Sequence, residues 1–503
     1  MKWKIFVFVA SVLLPIVLLP LALSAYKEFQ CAYVVLIVVS YWLMEPAPMA
    51  AVSMLPVVLF PLFGIMSSTE VSKNYMKEGY MTFIGSVLAA IAVEDSNLHE
   101  RIALKILLLI GTKIKQLLLG FMLSAAFLSM WMPNVASTAL LIPIVDAVVA
   151  EMSSNSDEIH LHMNNFDKES KEIHILEEDG KTNNNFKDIS SRRKDKLDAL
   201  KVTLLLCVCY GSNIGGTGTL IGTAPHFAFL AMLEKFYPGS DEITFSSWMM
   251  YNVPGLFLCA IIAWFCLWLV NIYFSKIDYN DESKDGFYEI ISKRYSRLGL
   301  ISYHEVSVIF LFTLLIFLWM FRDPKFIPGW TTALGLKSYV GDSTVAVAIV
   351  FLMFFLPSDF RDLNSRPILE WKTATAKFPW GVILLFGAGS SLAQGAQVTG
   401  LSDMLASKLT ALRSLSPGLI AAITCFSTAA ITSFVPNLAV IFILLPIFSE
   451  MALSIGVNPL YLMLPTTVAT SYAFMLPIST VPNAMVYGDG NMKKIDMVSE
   501  KSS

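Results

Sequence analysis

The chain is short of charge. Asp, Glu, Lys and Arg make up 15% of its 503 residues, where a soluble domain carries about a quarter. With 55% apolar residues and a mean hydropathy of +0.62, that shortage excludes an ordinary soluble protein. A basic surplus is missing too. A net charge of −3 excludes the cationic surface that nucleic-acid binding requires. Cysteine is scarce: Cys31, Cys207, Cys209, Cys259, Cys266 and Cys425 all lie in apolar stretches, and no histidine pair accompanies Cys207 and Cys209. The cysteines read as buried small hydrophobes, and neither a disulfide framework nor a metal centre is expected. No G-x-S-x-G, Walker A, H-E-x-x-H or dinucleotide fingerprint stands in a fitting context, so no enzyme is expected. An N-x-Ser/Thr glycosylation acceptor is also lacking.

What the chain does have is long apolar runs. A spanning helix needs about 20 apolar residues, and runs of that kind lie at 5–24, 31–45, 48–66, 81–97, 248–274, 304–322 and 340–357. The stretches 102–150, 199–236, 378–412, 417–452 and 456–488 hold more than one element each. The total is about eleven membrane elements. Lys2 and Lys4 precede the first run, which places the N-terminus in the cytoplasm. Residues 152–198 break the pattern with Asp157, Glu158, Lys168, an Asn run at 183–185 and the cluster Arg192, Arg193, Lys194, Lys196. They read as a solvated, partly disordered cytoplasmic loop. Residues 276–300 form a second polar connection.

The strongest signal is internal repetition. Residues 133–144 read PNVASTALLIPI and residues 436–447 read PNLAVIFILLPI, an offset of 303. Gly85-Ser86 with Leu88-Ala89 match Gly389-Ser390 with Leu392-Ala393 at offset 304. GTAPH at 222–226 is echoed by STVPN at 479–483. Matched halves with proline-broken apolar segments mark secondary transporters. Pro133 and Pro436 remove a backbone donor and stop the preceding helix, yet suit the start of a new one. Each of 117–150 and 417–450 therefore folds as a helical hairpin. The N–H groups at the start of its second arm are free for an anion, because irregular backbone at membrane depth must line a cavity or lie buried in protein. The division expected is 1–66 as N-terminal helices, 67–247 as the first repeat, 248–357 as linking helices, 358–490 as the second repeat, and 491–503 as a polar tail.

The segments FLSMWMPNVASTALLIPI (127–144), YGSNIGGTGTLIGTAPH (210–226), WGVILLFGAGSSLAQG (380–395) and SYAFMLPISTVPNAMVYG (471–488) resemble hallmark stretches of the divalent-anion:sodium symporter family. That family includes dicarboxylate, citrate and sulfate carriers and the insect "I'm not dead yet" branch, to which this chain is most similar. The resemblance implies an all-α polytopic membrane protein with an inverted structural repeat, two re-entrant helical hairpins, and scaffold and transport parts. It implies a homodimer working by an elevator-type motion in the plasma membrane, without nucleic acid or any cofactor beyond sodium as coupling ion. It also implies one more helix after Asn483 than this chain carries.

Carried onto this sequence, the resemblance assigns substrate binding to Asn134, Val135, Thr223, Ala224, Pro225, Asn437, Leu438, Thr480, Val481 and Pro482. It assigns cation binding to Pro133, Asn134, Gly222, Thr223, Pro436, Asn437 and Ser479. Three departures stand out. Family hairpin tips read Ser-Asn-Thr, whereas here they read Pro133-Asn134-Val135 and Pro436-Asn437-Leu438, keeping the amides and losing the hydroxyls. His226 occupies the position where Asn483 stands in the other half. It is either a neutral donor replacing asparagine or a pH-sensing, proton-carrying group. The leading reading is a di- or tricarboxylate carrier, by sodium symport or cation-independent exchange. The alternatives are a sulfate carrier and a transport-inactive homologue that senses anions or partners a working carrier.

Overall fold

The computed structural model describes residues 2–111, 113–150, 152, 179–275, 284–408, 415–474, 476 and 479–490. Among them the regular structure is helical, with a single isolated bridge between Pro357 and Pro367 and no strand. Eight helices are long and apolar enough to cross a membrane: Ile5–Ala22, Lys27–Met44, Ser68–Asp95, Leu197–Gly215, Phe245–Leu269, Tyr303–Met320, Trp380–Val398 and Asn437–Ser454. Six shorter apolar helices accompany them: Met49–Leu62, Ile114–Ser129, Asn134–Ala150, Asp342–Phe355, Pro417–Thr432 and Leu460–Ala469. The chain is an all-α polytopic membrane protein.

The short helices explain the hairpins. Ile114–Ser129 and Pro417–Thr432 have 16 residues each, about 24 Å of helix, less than the ~30 Å hydrocarbon core. Each stops before Pro133 or Pro436, and a second arm starts at Asn134 or Asn437. Both breaks fall where the repeated Pro-Asn pairs place them.

The chain forms two compact units. One comprises Met1–Ser96, Gly216–Val253 and Tyr303–Thr480; the other comprises Asn97–Gly215, Pro254–Ser302 and Val481–Ser503. Each unit draws on both halves of the sequence. In the first unit, Ala224–Phe236 packs on Asn437–Ser454 and Leu460–Ala469. In the second, Val481–Asp489 packs on the helix that ends at Gly215.

Glycines set the tightest packing. In the second unit the helix ending at Gly215 lies against Ile114–Ser129. A Cβ at Gly211 would sit 2.5 Å from the Met122 carbonyl oxygen, and one at Gly215 would sit 2.2 Å from that of Ala126. Gly211 and Gly215 are four apart, as are Met122 and Ala126, so this is a small-xxx-small contact of backbone on backbone. In the first unit the Tyr75 ring covers Gly387 and the Phe442 ring covers Gly389, and both serve as the packing glycines the apolar context suggests. Tyr80 hydroxyl bonds the Phe386 carbonyl oxygen at 3.0 Å and Ser390 Oγ at 2.5 Å.

Two sequence expectations are corrected. The polar loop expected over 152–198 is helical from Asp179 onward, because runs such as Lys194–Lys201 are good helix formers continuing into the spanning helix; residues 153–178 lie outside the described residues. The six cysteines are not uniformly buried. Cys31, Cys207 and Cys209 are buried, whereas Cys259 and Cys425 are half-buried and Cys266 is exposed, since an apolar stretch in a membrane also faces lipid. The tail 491–503 and residues 276–283 of the second connection lie outside the described residues; that connection continues as the helix Lys284–Arg297.

Two predictions follow from packing and charge. Gly215→Leu drives a side chain into helix backbone, so destabilisation at or above the ~1–3 kcal/mol of ordinary overpacking is expected, read as a lower thermal midpoint in detergent, whereas Gly488→Ala, with open space around it, leaves the midpoint unchanged. Outside the spans, Lys325 Nζ lies 2.8 Å from both Asp241 and Asp323. The Lys325 bond holds the Asp241 carboxyl below its ordinary value. At Asp323 burial, the largest single influence, opposes the same shift, and the bonds and charges of Lys325 and Lys337 together outweigh it. A depressed carboxyl stabilises above its unfolded value of 3.8, and the benefit is lost as pH falls further. Lys325→Met therefore narrows the difference in thermal midpoint between pH 7 and acid, by a small amount because the sites are solvated.

Candidate functional site

The two hairpin tips are built alike. At the first, Ser129 Oγ donates to Asn134 Oδ1 at 2.5 Å. At the second, Thr432 Oγ1 donates to Asn437 Oδ1 at 2.7 Å. Ser129 and Thr432 stand at the same offset of 303 as the Pro-Asn pairs. The hydroxyls missing beside the tip asparagines are therefore supplied five residues earlier, from the ends of the first arms. Fixing each amide oxygen with a hydroxyl leaves the amide N–H groups as the donor face of the tip.

Behind the first tip runs a buried polar chain. Asn134 Nδ2 lies 3.4 Å from Asn213 Oδ1, and Asn213 Nδ2 donates to Asn483 Oδ1 at 3.0 Å. Cys209 Sγ also donates to Asn483 Oδ1, at 2.8 Å. Ser137 and Thr138, on the first turn of the second arm, reach Ser212 Oγ at 2.9 and 3.0 Å. Ser137, Thr138, Ser212, Asn213 and Asn483 are all at most 1% exposed, so the network fixes the tip rigidly. The second tip is tied through backbone: Thr432 Oγ1 shares its hydrogen with the Thr470 carbonyl oxygen at 3.1 Å, and Ser479 Oγ donates to the Ser433 carbonyl oxygen at 2.7 Å.

The loop residues stand at helix starts. Thr223 is the N-cap of Ala224–Phe236, with extended backbone and no side-chain cap bond, and Pro225 lies in the first turn. A Cβ at Gly222 would come within 2.3 Å of the Gly216 carbonyl oxygen, so only glycine closes this loop. Val481–Asp489 begins directly after Thr480, with Pro482 in its first turn. Each compact unit thus holds two of the four helix starts singled out in the sequence. One unit has Asn437–Ser454 and Ala224–Phe236, and the other has Asn134–Ala150 and Val481–Asp489. Unsatisfied N–H groups and the helix dipole make each start electropositive. Val135 is exposed, while Leu438 packs on the apolar cluster around Lys27–Met44. Those two residues have only backbone to offer a ligand.

His226 is fully buried. Its Nδ1 is 2.9 Å from the Thr219 carbonyl oxygen, so that nitrogen carries the hydrogen, and its ring lies 4.5 Å from that of Trp248. Trp248 Nε1 in turn donates to the Thr217 carbonyl oxygen at 3.1 Å. His226 thereby holds the 216–222 loop by its backbone, whereas Asn483 in the matching position bonds side chains. Nε2 of His226 has no partner among the described residues.

Taken tip by tip, the oxygens of Ser129 and Asn134 in one unit and of Thr432 and Asn437 in the other, each with nearby carbonyls, are of the kind that suits a hard cation. Among the described residues no three His, Cys, Asp or Glu side chains group as a transition-metal site. Sequence reasoning missed Ser129, Thr432, Asn213 and Cys209. The repeat offset carried the first pair, while the other two lack any local motif.

A family described as the sodium:sulfate symporter transmembrane region matches residues 1–500. A Na(+)/citrate cotransporter of Rattus norvegicus is 38% identical, covering 98% of this chain and 90% of that protein. Solute carrier family 13 member 2 of Homo sapiens is 37% identical over 96% of this chain and 87% of its own length. A Na(+)/dicarboxylate cotransporter 3 of Rattus norvegicus is 35% identical over 99% and 89%. With the paired hairpins, the proline-marked helix starts and a match over nearly its full length, the chain belongs to the sodium:sulfate symporter family of membrane transporters.

Proposed function

We propose that this chain carries di- and tricarboxylates of the succinate and citrate class across the plasma membrane, with sodium as coupling ion. The observation that carries the reading is the duplicated tip, an asparagine amide locked by an upstream hydroxyl at a helix start. A charge-assisted hydrogen bond contributes about 1.5–3 kcal/mol, so a few donors per tip suffice for a carboxylate. The names of the relatives, citrate and dicarboxylate cotransporters, support the same substrate class.

In this reading Asn134 and Asn437 bind carboxylate by their amides, and Val135 and Leu438 by backbone. Thr223, Ala224, Pro225, Thr480, Val481 and Pro482 frame the anion at the two further helix starts. Sodium takes oxygens from among Pro133, Asn134, Gly222, Thr223, Pro436, Asn437 and Ser479, with the hydroxyls of Ser129 and Thr432 added at the tips. His226 is the neutral donor that replaces asparagine, anchoring its loop through Thr219. The protein acts as a homodimer by an elevator-type motion, with its N-terminus in the cytoplasm.

Uptake of radiolabelled citrate and succinate into cells expressing the chain tests this directly. Sodium-dependent uptake is the expected result; uptake unchanged in choline points instead to exchange, and no uptake despite surface expression overturns the carrier reading. Among variants, Asn437→Ala is expected to abolish surface-normalised uptake. Ser129→Ala and Thr432→Ala each remove one hydrogen bond worth about 1 kcal/mol, raising the sodium concentration for half-maximal uptake about fivefold. His226→Asn is expected to retain uptake, whereas His226→Ala, which leaves the Thr219 carbonyl without this donor, loses most of it.

A further inference from the structure

We propose that a groove beside the helix Lys284–Arg297 binds the phosphate of an anionic phospholipid in the cytoplasmic leaflet. The groove has a volume of about 510 Å³ and is lined by Glu100, Ala147, Glu289, Lys293, Arg294 and Arg297, together with Ile290 and Leu298. Its walls are three elements of one compact unit: the helix itself, the start of Leu98–Ile110, and the base of the first hairpin's second arm.

The frame of the groove is fixed by two arginines. Arg294 Nε bonds Glu100 Oε1 at 2.8 Å, with Nη1 3.5 Å from the Pro143 carbonyl oxygen. Arg101, only 7% exposed, bonds the carbonyl oxygens of Gly299 and Leu298 at 3.0 and 3.2 Å. It thereby caps the last carbonyls past the C-terminus of Lys284–Arg297, and it lies 5.8 Å from the Tyr295 ring. With Arg294 and Glu100 neutralising each other, Lys293 and Arg297 are left exposed on the rim. Neither has an ion-pair partner among the described residues, and only Glu289 opposes them in the lining. Two cations, one of them a planar guanidinium, suit a phosphate.

The depth of the groove identifies the source of that phosphate. The chain leaves the helix through Leu300 and Ile301, which are 96% and 54% exposed, and enters the spanning helix Tyr303–Met320. Leucine and isoleucine so exposed beside basic residues belong at the boundary between headgroups and acyl chains. A second marker of that level lies in the same unit, at the start of the first hairpin arm. Trp264 Nε1 donates to the Lys115 carbonyl oxygen at 3.0 Å, Trp264 and Trp268 stack, and the Lys115 ammonium sits 4.2 Å over the Trp268 ring. Tryptophan with lysine marks the membrane interface, and the two arms of a hairpin start and end on one side. The basic residues of the connecting segments of this unit, Lys105, Lys113 and Lys115 with Lys293 and Arg297, favour the cytoplasmic leaflet, which carries the anionic lipid.

The test is thermal unfolding of the full-length protein in detergent, with phosphatidylserine, phosphatidylcholine or inorganic phosphate added, alongside native mass spectrometry to count retained lipids. Phosphatidylserine is expected to raise the midpoint by several degrees and to be retained as a discrete adduct, with little effect from the other two. Lys293→Gln combined with Arg297→Gln, both at exposed positions, is expected to abolish the adduct and most of the shift. Lys372→Gln, at an exposed site in the other unit, leaves both intact. Equal stabilisation by phosphatidylcholine, an undiminished adduct in the double variant, or the same shift from inorganic phosphate would overturn the proposal.

Discussion

Inside a hydrocarbon layer every backbone N–H and C=O must find a partner within the protein. The two hairpins break that rule locally, and the rest of the molecule is arranged around the breach. At Pro133 and Pro436 a helix stops inside the membrane and leaves polar groups with nowhere to turn. The protein meets the need with side chains sent from the same hairpin, Ser129 and Thr432, which lock the tip amides. What remains unsatisfied is a small set of donors at each helix start, and these are what an anion requires.

The supporting structure is asymmetric although the tips are not. Behind Asn134 stands a network of amides, hydroxyls and a thiol that is almost wholly buried. Behind Asn437 the same work is done by the backbone carbonyls of Ser433 and Thr470. His226 and Asn483 continue this difference: one bonds a loop carbonyl, the other bonds side chains. Two copies of one plan have kept the geometry of the tips while diverging in how it is held.

Much of this was legible in the sequence. Low charge and long apolar runs announced the membrane, and the 303-residue offset located both breaks, because proline and asparagine act locally and the repeat says where. Contacts between distant segments were not legible. Nothing near Asn213 announces a bond to Asn483, 270 residues on, and no local pattern tells that Arg101 caps carbonyls at 298 and 299. The helix from Asp179 was hidden for a different reason. Its composition is polar enough to resemble a loop, and only its continuity with the spanning helix organises it. The Gly211–Gly215 contact had a local signal in its four-residue spacing, which the stronger repeat overshadowed.

The exchange of elements between the two halves has a consequence for biosynthesis. A ribosome delivers the first hairpin early, but Asn483, which completes its polar network, follows Asn134 by 349 residues. Until then the bond from Asn213 to Asn483 cannot form, a deficit of about 0.5–1.5 kcal/mol for one hydrogen bond. The first-made half must therefore wait in the membrane as an incomplete, loosened assembly until Asn483 arrives. Synthesis thus runs from one end to the other, but maturation ends near where it began.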